Sequence, residues 1–163
     1  MTGERIETPD DELDPEDITL RNICRQLSDA DFFSIHPIWS TKIDDMQFWY
    51  THPDCSDNMF VDCDINKLIS TNDNLFNIRF SRQFDGDWCE DERFCRTLID
   101  RWQKGLGVDP PEVSFRNNRS SIGDGRHRTI LAKELGAKRI IIRIRTVDYQ
   151  LAKNLLDATS IVA

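Results

Sequence analysis

Six consecutive residues, Gly123-Asp124-Gly125-Arg126-His127-Arg128, combine the backbone freedom and side chains that binding of a phosphate-like anion requires. A helix starting after the second glycine presents unpaired backbone N–H groups and a partial positive charge at its N-terminus. Glycine ahead of that helix lets an anion approach the backbone closely. Arg126 and Arg128 add formal charge and forked donors. His127 can donate to a phosphate oxygen or exchange a proton near neutral pH. Asp124 fits the N-cap position, and it can alternatively orient His127 or help to hold a divalent ion. Asp124 and His127 are the candidates for catalytic chemistry. Each residue also has a plain structural reading. An aspartate before a helix is commonly a cap, a histidine four residues before Leu131 leans toward the core, and lone arginines are commonly solvated. Gly-x-Gly alone is weak, so the signal lies in the whole constellation.

The elements around this loop read clearly. Glu112-Val113-Ser114-Phe115-Arg116 alternates as a strand, and Asn117-Asn118 is a turn pair tolerant of positive φ. Ser120-Ser121-Ile122 can return as the second strand of a hairpin, which Gly123-Asp124-Gly125 is expected to break. A helix over 126–135 places Leu131 and Leu135 on one face, and Gly136 stops it. In the next strand, 139–145, Ile140, Ile142 and Ile144 face one way, and Arg139, Ile141, Arg143 and Arg145 face the other. A last helix over about 147–157 carries Val147, Leu151 and Leu155. Upstream, a short helix is expected near 18–27, a strand over 59–65, a strand near 76–80 and a helix over 91–104. That helix has a Phe94-Leu98-Trp102 stripe for the core, with Arg93, Arg96 and Lys104 opposite. Residues 32–50 are rich in aromatic residues without a clean period.

The chain has 163 residues, enough for one domain with an appended element. Residues 1–17 are acidic, proline-punctuated and read as a disordered tail. Residues 18–58 read as an N-terminal extension and 59–163 as the domain. No apolar run is long enough to span a bilayer and the first residues lack a secretion pattern, so a cytoplasmic location without membrane contact is expected. The net charge of −8 is unevenly spread. Residues 1–64 hold sixteen acidic and four basic residues, net −12, whereas 113–145 hold nine bases against Asp124 and Glu134, net +7. The acidic half could face a protein partner with a basic surface. Arg116, Arg139, Arg143 and Arg145 are the candidates for DNA contact, although the overall acidity argues against DNA as the primary partner. Five cysteines, Cys24, Cys55, Cys63, Cys89 and Cys95, cannot all pair within one chain and read as free thiols. His52, Cys55 and Cys63 have weakly ligand-like spacing, and the metal, if any, is not specified by the sequence.

The run from Ile122 to Ala137, with the preceding hairpin, resembles the signature of the ParB/sulfiredoxin-like superfamily, including ParB-like nuclease domains, over residues 112–145. The resemblance implies an α/β (α+β) fold, a small mixed sheet flanked by helices. It also implies that Gly123, Gly125, Arg126, His127, Arg128 and Thr129 belong to a nucleotide-phosphate loop taking ATP or another NTP, with Mg2+ as a possible companion. Arg126 stands where sulfiredoxins carry their catalytic cysteine, so sulfinic-acid reduction is not expected. The stretch after residue 145 is shorter than the helix-turn-helix domain of a ParB partition protein. Pro111-Glu112-Val113-Ser114-Phe115 followed by Gly125-Arg126-His127-Arg128-Thr129 looks most similar to the plasmid fertility-inhibition proteins. That implies ATPase or DNase (hydrolase, nuclease) activity and interference with conjugative transfer. The competing expectation is a non-enzymatic inhibitor that engages a protein through its acidic half.

Overall fold

The computed structural model describes residues 12–42, 57–75, 78 and 90–161. The order is α1 (Pro15–Arg25), α2 (Asp29–Ser34), β1 (Asn58–Asp64), α3 (Ile65–Thr71), α4 (Glu90–Gln103), β2 (Glu112–Arg116), β3 (Arg119–Asp124), α5 (Arg126–Glu134), β4 (Arg139–Arg145), α6 (Tyr149–Leu156) and β5 (Thr159–Ser160). A 3-10 turn over Thr146–Asp148 leads into α6. The fold is mixed α+β, and the five strands form one sheet in the order β3-β2-β4-β1-β5. β2 runs parallel to β4, and the other pairings are antiparallel. Among the described residues no helix is long and apolar enough to cross a membrane. The strand expected near 76–80 falls largely outside the described residues, as do most of residues 1–17.

β4 shows why the sheet has one buried side. Ile140, Ile142 and Ile144 are at most 1 % exposed, and they stand opposite Cys63, Val61 and Met59 of β1. Alternation with period two puts every second residue on the same face. α3, α6 and one side of α5 close over this face, adding Leu68, Ala132, Ala152 and Leu156 to the core. The other side of α5 supplies Leu131 and Leu135 to a second apolar cluster with Phe32, Ile35, Leu98, Ile99 and Trp102. Residues of the expected N-terminal extension thus share a core with α4 and α5. α5 is the element common to both clusters, which fixes the loop before it.

The hairpin follows its sequence signature. Asn117 and Asn118 have φ of 52° and 58°, the pair of left-handed conformations that a tight two-residue turn demands. The free side of β3 is closed by a side chain. Asn74 Oδ1 accepts from Ile122 N–H at 3.0 Å and Asn74 Nδ2 donates to Ile122 O at 2.7 Å, so one amide imitates a neighbouring strand. Asp73 N–H also donates to Ser120 O at 3.0 Å.

Three expectations are corrected. Arg96 does not lie on a solvent face of α4. It is 1 % exposed, paired with Glu92 at 2.8 Å and donating to Arg21 O at 3.2 Å, because α1 packs there. Phe94, expected in the core, is 45 % exposed. In α6 the buried positions are Ala152 and Leu156, and Val147 is 79 % exposed, because the 3-10 turn rotates the helix start relative to an uninterrupted helix.

Cys63 is fully buried, and burial, reinforced by the nearby Asp62 carboxylate, pushes its thiol up to about 12. The folded value lies above the ordinary one, so the protonated thiol's contribution is complete below about pH 9 and fades as pH rises toward 12. Urea unfolding of the wild type relative to Cys63→Ala should therefore show a stability difference that shrinks above pH 9, by about 4 kcal/mol at most. A difference independent of pH from 8 to 11 would refute the buried neutral thiol.

Candidate functional site

β3 continues to Asp124, paired with Glu112 of β2, so α5 can begin only after Gly125. Gly125 is the N-cap with φ 95° and ψ 23°, and no side chain caps the first turn. Asp124 is therefore not the cap that its position predicted. A Cβ on Gly125 would lie 2.8 Å from both Cα and Cβ of Pro111, so glycine is required by φ and by close approach of the proline segment. Gly123, by contrast, has room for a Cβ, at ordinary distance from Glu112.

The loop's side chains divide into those held inward and those that remain outside. Arg128 is 7 % exposed, and its guanidinium donates to Asp109 O at 2.6 Å and to Asp124 Oδ2 at 2.5 Å. Thr129 is fully buried and its hydroxyl donates to Gly125 O at 2.9 Å. Both were expected at the phosphate. Both are buried, and these hydrogen bonds hold the helix start. Arg126 is exposed. His127 is partly exposed, with Nε2 at 2.5 Å from Asp91 Oδ1 and its ring against Phe94 at a centroid distance of 5.0 Å.

The expected catalytic pair thus separates, Asp124 to Arg128 and His127 to Asp91. In the tautomer that carries its proton on Nε2, His127 donates to Asp91 and Nδ1 is left as an acceptor. Asp91 lies 36 residues before His127 in α4, and no spacing rule links the two; its acidity near a helix start was the available signal. Exposed or partly exposed at this end of α5 are Asp124, Arg126, His127 and Phe94, before a first turn that no side chain caps. That arrangement can bind an anion through backbone N–H groups and one guanidinium, and can hold or pass a proton at His127.

The four arginines expected at DNA lie on the sheet strands. Arg139 pairs with Asp62 and Asp157, Arg143 with Glu112, and Arg145 with Asp148 at 2.9 Å. The Asp62 hydrogen bond raises the Arg139 guanidinium further above its ordinary value. Arg116 is exposed at the hairpin end of β2. Three of the four therefore already face carboxylates. Of the weak metal candidates, His52 and Cys55 lie outside the described residues and Cys63 is the buried thiol above. Among the described residues no group of three His, Cys, Asp or Glu side chains could hold a metal ion.

Comparison of the chain with family models, with curated proteins and with solved structures finds no match in any of the three.

Replacing Arg128 with Ala should remove about 3 kcal/mol of stability, because two acceptors lose a buried cationic partner. Urea denaturation reads this directly. A loss below about 1 kcal/mol, smaller than one ordinary buried hydrogen-bond defect, would show that the clamp is dispensable.

Proposed function

We propose that this chain is a nucleotide-phosphate-binding protein of the ParB/sulfiredoxin-like kind. On this reading ATP or another NTP sits with its phosphates at the start of α5, with Mg2+ as companion. Its chemistry is NTP hydrolysis or DNA cleavage, and its setting is interference with conjugative plasmid transfer. The observation that carries the binding step is the uncapped first turn of α5 behind Gly125, flanked by the exposed Arg126 and the half-exposed His127. A helix start that no side chain caps keeps backbone donors and a positive dipole end, which suit an anion. The His127–Asp91 pair supports a proton-transfer role, since a carboxylate that fixes one ring nitrogen defines the task of the other.

The carboxylate-paired arginines of β4 favour nucleotide over duplex DNA as the ligand of this end of the molecule. The second reading, a non-enzymatic module that engages a protein through its acidic half, rests on the net −12 of residues 1–64.

Arg126→Ala is the cleaner probe, since Arg128 is part of the fold. Calorimetric titration with ATP, CTP and ADP, with and without magnesium, should show saturable binding to the wild type. Arg126→Ala should weaken it about tenfold, the value of one charge-assisted contact. Equal affinity in both proteins would remove the α5 start from the nucleotide site. No binding of any nucleotide would turn the search to a protein partner for the acidic half.

A further inference from the structure

A second site lies away from the start of α5, between the segment that follows α2 and the turn that follows α4. A cavity of about 390 Å³ is lined there by Ile38, Trp39, Ser40, Lys42, Arg101 and Leu106. This size falls within the ~300–1,000 Å³ usual for small-molecule sites. The backbone around it is fixed from both sides: Val108 N–H donates to Ile38 O at 2.9 Å, Ser40 N–H donates to Val108 O at 2.8 Å, and Trp102 Nε1 donates to Ile38 O at 3.1 Å. Trp39 packs edge-on against Trp102 with centroids 5.6 Å apart.

The chemistry of the lining is lopsided. Among the described residues it holds two cations, Lys42 and Arg101, and no carboxylate, in a chain of net charge −8. Arg101 Nη2 donates to Gly107 O at 2.9 Å, which sets the guanidinium in place, while its Nε is buried without a hydrogen-bond partner. A buried donor left unpaired is costly, so such a group is commonly matched by an acceptor from outside the protein. Beside the cations stand two unusually exposed apolar side chains, Ile38 at 38 % and Leu106 at 45 %. Two cations among the lining residues suit a dianionic head, and the Ile38, Trp39 and Leu106 side chains suit a flat apolar body.

We propose that this cavity binds an aromatic phosphomonoester, with the phosphate between Lys42 and Arg101, near the Ser40 hydroxyl, and the ring against Trp39 and Leu106. A phosphomonoester carries a charge of about −1.5 to −2 near neutral pH, which matches the two cations. The site is independent of α5 and stands whether or not nucleotides bind there.

The test titrates the full-length chain with 1-naphthyl phosphate by calorimetry, with inorganic phosphate, 1-naphthoate and 1-naphthalenemethanol as partial ligands. Saturable binding of the phosphate ester is expected, weaker for every partial ligand. Lys42→Gln and Arg101→Gln should each lower affinity about tenfold, and Lys153→Gln on α6 should leave it unchanged. In the NMR spectrum the Trp102 indole N–H, bonded to Ile38 O, should shift on titration. Should Arg101→Gln fail to fold, Lys42→Gln and the indole shift still decide. No saturable binding, affinity insensitive to Lys42→Gln, or an unmoved Trp102 indole would each overturn the proposal. Equal affinity for naphthoate would overturn the dianionic head.

Discussion

The Arg128 guanidinium is the contact on which the loop's geometry turns. It reaches from the first turn of α5 to the carbonyl of Asp109 and to the carboxylate of Asp124. It thereby ties the helix start to the segment entering β2 and to the last residue of β3. Pro111 O then accepts from Arg143 N–H at 2.8 Å, carrying the same segment onto β4. Gly125 is compressed against Pro111 by this arrangement and must be glycine. A cation buried at this junction leaves the outermost residues of the turn, Arg126 and His127, as the ones that face solvent. The division of labour inside one short motif follows from the turn at Gly125, which brings Asp124 at the end of β3 to Arg128 of α5, while Arg126 stays exposed and His127 meets Asp91.

Much of this was legible in the sequence. The isoleucine alternation of β4, the Asn117-Asn118 turn and the Gly136 stop are local signals, and each is present where expected, with Gly136 at φ 87°. The mixed α+β architecture follows from them. What the sequence did not disclose depends on packing between distant segments. The partner of His127 comes from α4, and the burial of Arg96 depends on α1 covering it. The extension of β3 through Asp124 depends on its pairing with Glu112, and it displaces the cap by one residue. Arg126 and Arg128 read alike in the sequence, because nothing local reveals that only Arg128 is turned inward.

Charge is organised in the same way. The sheet arginines look like a basic stripe in the sequence, yet β1, β2 and the residues flanking α6 bring a carboxylate to most of them. Acidic excess in the first half of the chain is therefore partly matched within the fold, by Asp62 against Arg139 and Asp17 against Arg93 at 2.9 Å. Lys42 and Arg101 stand apart from this pattern, as two cations that share a cavity wall without an acid among its described lining residues.

The amide of Asn74 has a consequence beyond the hairpin it closes. An exposed strand edge is a template on which another extended chain can pair, and sheets with such edges grow into fibres or swapped assemblies. Here the central N–H and C=O of that edge are both consumed by one short side chain, while the opposite margin ends in a strand of two residues. Among the described residues, the five-stranded sheet thus ends in a small local device at each margin.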